Sequence, residues 1–311
     1  MSADADQLAA SRAAEKPRFK ADNLAGFIAV HLIAALAFVP WFFSWSGVAV
    51  FVAGLYVFGV LGINLGFHRL LTHRSFVCPR WLEHALAIFG TCSLQFSPAH
   101  WVAVHRRHHH HADEEMDPHS PLKSFMWAHF GWLLVKLPDM RAAVMTQRYS
   151  RDLMRDPLYV WLEDRKNWMK VGFACWLVFF AAGFLGALVA GSKPAHSFQF
   201  GASLFVWGGA ARTVFVWHTT WAVNSVTHVW GYRNYQTPDD SRNNPLIGLL
   251  AAGEGWHNNH HADPNSAMHG HKWWEVDLTW ATLRVLIALG LATGVKLPST
   301  ALGSKVTAKG A

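Results

Sequence analysis

The chain has 311 residues, of which 52% are hydrophobic, with 17 Trp and 21 Phe, and only 15% are charged. A soluble domain carries roughly 25% charged residues, so an ordinary water-borne body is excluded in favour of one bathed in lipid. The net charge of +7 is spread along the loops without a nucleic-acid-reading module, which excludes DNA and RNA as partners and fits a positive-inside bias and anionic headgroups.

Residues 1–23 read as a polar, Ala-rich tail. Apolar runs at 24–43 and 48–67 each approach the roughly 20 residues that cross hydrocarbon, and a short Ser-Trp-Ser-Gly link makes them a hairpin. A second pair lies at 168–190 and 198–223, joined by Gly191-Ser192-Lys193-Pro194. The expected fold is therefore an all-α integral membrane protein, with four transmembrane helices in two hairpins and a helical cytoplasmic cap. The domain would cover 24–298, and 299–311 would form a C-terminal tail. Segments 81–96, 124–137 and 273–291 are shorter or mixed and read as helices lying at the interface or capping the cytoplasmic body rather than as further spans. Lys and Arg crowd the tail and the long connecting regions. The charge bias thus puts both termini and the regions holding the histidines on the cytoplasmic side, in a bacterial inner membrane.

Those regions hold histidines at metal-ligand spacing: His68 and His73, then His105, His108 and His109, then His257, His260 and His261. Residues at i, i+3 and i+4 of a helix share a face, so each HxxHH trio is expected to aim at one small volume. His68 and His73 are five apart and swing off a common α-helical face, which suggests one near each of two metals. Asn224 and His228, four apart, offer a further ligand. Nine imidazoles exceed a tetrahedral zinc site but serve two ions of higher coordination, and imidazole by itself does not choose among iron, zinc, copper and nickel. Asp113, Asp117, Glu254 and Asp263 are placed to hold the unbound ring nitrogens. His31, His84, His100, His218, His269 and His271 read as satisfied polar residues, and His110 and His111 as solvated neighbours. Cys78, Cys92 and Cys175 form no CxxC pair, so electrons must come from another protein.

The strings HRLLTH, WVAVHRRHH with Asp113 and DPHSP after it, HFGW, NSVTHVWGYR and GEGWHNNHH, in this order over about 59–298, resemble the membrane fatty acyl desaturases of the delta-9 type. The resemblance implies a non-haem di-iron site. Its ligands would be His68, His73, His105, His108, His109, His228, His257, His260 and His261, with Asn224 reaching one metal directly or through water. It also implies that O2 is the co-substrate and that hydrogen leaves two adjacent methylenes to give a cis double bond. Gln95, Trp101, Thr220 and Trp221 match residues lining a kinked substrate tunnel, and Tyr56 matches its closed end. Animal acyl-CoA members carry Arg-Asp where this chain has Ala103-Val104, so the acyl chain arrives on CoA, on a carrier protein or in a membrane lipid. The reductant would be a separate ferredoxin-like protein or small cytochrome, steered by the basic surface. A histidine-rich hydroxylase or ketolase is the alternative. A metal transporter is more remote, because its sites lie within broken or polar spans.

Overall fold

A computed structural model describes residues 18–299. Most of the expected N-terminal tail, residues 1–17, and all but the first residue of the expected C-terminal tail, residues 300–311, lie outside them. The described end of the tail is ordered: β1 (Arg18–Phe19) pairs antiparallel with β2 (Val135–Lys136), and a helix starts at Ala21.

Three segments are long and apolar enough to cross a membrane: Ala21–Phe38, Trp45–Thr72 and Pro157–Val189. The first contains α1 (Ala21–Ala35), which gives way to 3₁₀ turns around Pro40, a residue unable to donate the next helical hydrogen bond. The second opens as α2 (Trp45–Gly54), capped by the Ser44 hydroxyl accepting from Gly47 N at 2.9 Å, and continues as a π-helix through Leu55–Thr72. Between the second and third of these segments come α3 (Arg80–Thr91), α4 (Pro98–His111), α5 (Phe125–His129) and α6 (Ala142–Tyr149), and the third opens with α7 (Pro157–Glu163). The third long helix is α8 (Asn167–Val189).

The fourth expected segment is also helical, as α9 (Pro194–Leu204), a π-helical Phe205–Ala211 and α10 (Arg212–Ser225). It is not among the three apolar candidates, and it carries Gln199, Arg212, Thr213, His218, Thr219 and Thr220. Buried Arg212 gives Nη1 to Cys92 O at 2.8 Å and lies over the Phe58 ring. The chain closes with α11 (Pro245–Leu250), α12 (His257–Ala262) and α13 (Leu278–Ala288).

Glycine sets the tightest helix contact that positions the site. A Cβ on Gly62 would meet Gly90 N at 2.4 Å, so α3 lies against the backbone of the second long helix as closely as small residues permit. The core beside it buries Leu65, Phe67, Leu86, Ala99 and Leu283 and so fixes the C-terminal end of that helix against α4 and α13. Arg106 then ties α4 to this end, giving Nη2 to Leu71 O at 2.8 Å and Nη1 to Asp152 Oδ1 at 2.7 Å.

Candidate metal centre

The π-helical end of the second long helix sets the first pair of histidines. His73 N donates to His68 O at 3.1 Å, a hydrogen bond five residues long, so residues five apart are stacked here. The rings of His68 and His73 lie 4.8 Å apart, centroid to centroid. The expectation that they diverge toward separate metals is therefore corrected, because it assumed an α-helical twist.

α4 is started by the Ser97 hydroxyl, which accepts from His100 N at 3.1 Å, and by Pro98 in its first turn. On it, His105 and His109 face one way and His108 the other. α12 behaves likewise, with His257 and His261 on one side and His260 on the other. Ring nitrogens then gather in two groups, His68, His73, His105, His109 and His260 in one and His108, His228, His257 and His261 in the other, each within 4.8 Å. The expectation of one volume per trio is corrected too. Successive helical residues are turned by about 100°, so i and i+4 align while i+3 looks aside, and each HxxHH serves both groups. The groups adjoin, His109 and His261 having ring centroids 4.6 Å apart.

Carboxylates fix the tautomers. Asp117 Oδ2 accepts from His108 Nδ1, Asp113 Oδ2 from His228 Nδ1 and Asp239 Oδ2 from His261 Nδ1, each at 2.9 Å, and Glu254 Oε2 accepts from His68 Nδ1 at 2.5 Å. With Nδ1 holding the proton, Nε2 presents a lone pair. His108 Nε2 and His261 Nε2 face each other at 3.4 Å, while the buried Nε2 of His73 has no hydrogen-bond partner. Lone pairs aimed at a common point repel unless a cation sits between them, so the donor set fits a metal ion. Imidazole nitrogens with this backing suit iron among other transition metals.

Electrostatics keep the groups in the form a metal needs. Burial, then neighbouring imidazoles, push His73, His105, His109, His257 and His260 well below the usual histidine range, and burial brings His261 to about 4. Neutral imidazole is the ligating form. His108 is the exception: burial opposes its charge, but Asp117 overcomes this and raises it. Burial would raise Asp113, Asp117, Asp239 and Glu254, yet the imidazoles and donors that face them, and Arg69 beside Glu254, hold all four down as carboxylates. For Glu254 the main counter-charge is Arg69, a fully buried guanidinium that also grips Asp277 at 2.9 Å. Removing one partner from such a buried network costs about 3–5 kcal/mol.

Among the described residues, Asp263 makes no hydrogen bond to a histidine of either group. Its Oδ2 accepts from Ser299 N at 2.9 Å, and Asp239 takes the place expected of it. The signal available in the sequence was the Asp239-Asp240 pair in a turn between His228 and His257, although 22 residues separate Asp239 from its ring. His269, expected to be a satisfied polar residue, is instead buried against the first group, 4.5 Å from the His260 ring and 3.4 Å from Glu254 Oε2. His119 abuts His108 at 4.4 Å. His31, His84, His100, His218 and His271 stand apart from both groups. Of these, His31 and His218 hydrogen-bond each other at 3.0 Å, and His84 bonds Asp156 at 2.9 Å.

A cavity of about 360 Å³ leads from His68, His105 and Glu254 between the second long helix and α10. Trp101, Thr220, Asn224 and Tyr56 line it, and Trp101 stacks on His105 at 5.1 Å. Gln95 stands behind the wall, donating to Thr220 Oγ1 at 3.1 Å and accepting from Trp101 Nε1 at 3.4 Å. Trp221 is not in the lining; it is buried against Phe27, Trp217 and His129. One step along a helix from Thr220 turns its ring to the other side.

The sequence has known counterparts. The fatty acid desaturase family model matches residues 43–292. The sn-1 stearoyl-lipid 9-desaturase of Anabaena variabilis is 44% identical over 91% of this chain and 96% of its own length. The sn-2 palmitoyl-lipid 9-desaturase of Nostoc sp. (strain 36) is 40% identical, over 90% and 91% respectively. The icosanoyl-CoA 5-desaturase of Limnanthes douglasii is 39% identical over 93% of this chain and 76% of its own. With the family matched over most of its length and relatives this similar from end to end, the chain belongs to the fatty acid desaturase family.

Proposed function

We propose that this oxidoreductase is an oxygen-dependent delta-9 acyl desaturase with two irons, one in each imidazole group. His68, His73, His105, His109 and His260 hold the first. His108, His228, His257 and His261 hold the second, with Asn224 beside it directly or through water. The observation that carries the reading is the meeting of ring nitrogens whose protons are already committed to carboxylates on the far side. The 9-desaturase names of the two cyanobacterial relatives support the position of the double bond.

Bound there, the irons supply the oxygen activation needed to take hydrogen from an unactivated methylene. The protein's own residues supply the rest. An alkyl chain offers no group to polarise, so selection rests on holding it in place, and the apolar cavity wall does that while excluding water. Trp101, fixed by Gln95 and stacked on His105, defines the wall next to the ligands. Tyr56 bounds the cavity twelve residues before His68 on the same helix. Asp113, Asp117, Asp239 and Glu254 keep four rings in the ligating tautomer.

In the membrane, α1 and α2 form one hairpin, and α8 with α9 and α10 form the other, the more polar fourth helix being shielded by its neighbours. Positive loops favour a cytoplasmic metal centre, where a separate ferredoxin-like or small cytochrome donor delivers electrons. The test is gas chromatography of fatty acids from desaturase-deficient cells expressing the protein. Cis-9 unsaturated chains are expected. Hydroxylated chains without them would identify a hydroxylase and refute the assignment.

A further inference from the structure

The cavity wall is itself part of the outer surface. Val52, Leu249, Leu250, Leu278 and Tyr56 all line the cavity, and all are exposed, Leu249 by 71% and Val52 by 58%. These residues belong to the second long helix, α11 and the start of α13, and they are apolar apart from the Tyr56 hydroxyl. Leu246 in α11, Val285 in α13 and Val276 just before it are exposed as well. No Lys or Arg is among the lining residues, and Glu254 is the only ionised one. A soluble thioester with a phosphate-rich carrier would call for cations at its mouth, whereas a chain already in hydrocarbon needs only continuity of apolar surface.

We propose that the cavity opens sideways into the bilayer between Val52 and Tyr56 on one side and Leu249, Leu250 and Leu278 on the other, and that it takes the saturated acyl chain of an intact membrane glycerolipid. This rests on the desaturase reading above and adds the carrier and the route. Withdrawing such a chain through water would forfeit the burial of every methylene, but sliding it laterally keeps each one in an apolar medium. Tyr56 and Thr282 supply a latch. The Thr282 hydroxyl donates to Leu278 O at 2.9 Å, so its remaining lone pair accepts from the Tyr56 hydroxyl at 3.1 Å, joining the second long helix to α13 at the edge of this mouth. Nearer the ligands the same two walls are pinned by buried Asn64, which donates to Ala251 O at 3.0 Å and to Thr279 Oγ1 at 3.2 Å. The metal end of the cavity is thereby pinned through Asn64, and its outer end is joined through the Tyr56–Thr282 contact.

The test uses the full chain in nanodiscs containing a phosphatidylcholine whose saturated acyl chain carries a mid-chain diazirine. Illumination should label peptides containing Val52, Tyr56 and Leu249. Excess distearoyl phosphatidylcholine should compete and stearoyl-CoA should not. Leu249→Asp should reduce labelling of the cavity by at least about tenfold, the order expected for a charge on a lipid-facing position, and Leu249→Gln should reduce it less. Thr282→Val, which removes the latch but keeps the shape, should increase labelling at Tyr56. Labelling that misses these peptides, ignores Leu249→Asp or yields to stearoyl-CoA would overturn the proposal. Cross-linking needs no turnover, so the two readings fail separately. A protein that labels but makes no unsaturated product sinks the desaturase assignment and leaves the mouth standing. One that desaturates stearoyl-CoA without labelling sinks the mouth alone.

Discussion

In an Asp239→Ala variant, His261 loses the acceptor at 2.9 Å that commits its proton to Nδ1, and Ser241 N and the Thr237 hydroxyl lose theirs at 3.0 and 2.9 Å. The ring is then free to turn or to protonate at Nε2, the nitrogen facing the group. Outer partners of this kind are worth about 10–100-fold in metal affinity, or about 1.4–2.8 kcal/mol. Only the four-imidazole group contains His261. Under chelator competition, iron per chain should therefore fall from two toward one, as measured by plasma emission spectrometry on purified protein. Asp239→Asn keeps an acceptor oxygen and should sit near the tenfold end. Asp263→Ala is the matched control and should keep its iron, because Asp263 engages Ser299 N. Equal iron in Asp239→Ala and the unaltered protein, or loss in Asp263→Ala instead, would refute the reasoning.

His260→Ala should abolish product and deplete iron from the five-imidazole group, since its Nε2 lies 3.1 Å from that of His68 and 3.0 Å from that of His109; normal product by gas chromatography would contradict this. Tyr56→Ala enlarges the cavity at the edge it shares with Thr282 and should shift the product profile toward longer chains. An unchanged profile would remove Tyr56 from chain-length control. The metal-free protein should lose stability on acidification. Burial holds five of the histidines well below the ordinary value of 6.5 and His261 at about 4. As pH falls from about 6.5 toward 4, the unfolded chain takes up protons that the native chain cannot, so unfolding is favoured. His108, whose pKa is raised, works the other way, its contribution being full below 6.5 and lost as pH rises. Asp117, held low, contributes above its usual value and gives way only in stronger acid, outside this window. Chelator-stripped protein in detergent should therefore melt at a lower temperature at about pH 5 than at about pH 7.5, and the opposite order would contradict the balance.

Much of the site was legible because its residues come in short strings. HRLLTH, HRRHH and HNNHH name eight of the nine grouped histidines, and NSVTH supplies His228. Their division into two groups was not legible, since an i+3 neighbour and an i+4 neighbour differ by about a quarter-turn. Pairing His68 with His73 needed the π-helix, and nothing in Leu55–Thr72 announces i→i+5 bonding to a reader of propensities. Asp239 was missed and Asp263 proposed because nearness in sequence stood in for nearness in space; the loop from His228 folds back across α12 and brings Asp239 to His261. Three long apolar segments followed from composition. The fourth helix was expected as a span from its length, but its Arg212, Thr219 and Thr220, which hydrogen-bond carbonyls of their own helix, lower its apolarity. Thr220 and Trp221 were both expected in the lining, but one helical step turns the Trp221 ring away from the cavity that Thr220 lines.

The central claim is that two irons sit in the two imidazole groups. Anomalous diffraction at the iron edge from crystals of the iron-loaded protein tests it most directly. Two peaks are predicted, one amid His68, His73, His105, His109 and His260 and one amid His108, His228, His257 and His261. A single peak, or iron at Glu83, His84 and Asp156 with both imidazole groups vacant, would contradict it.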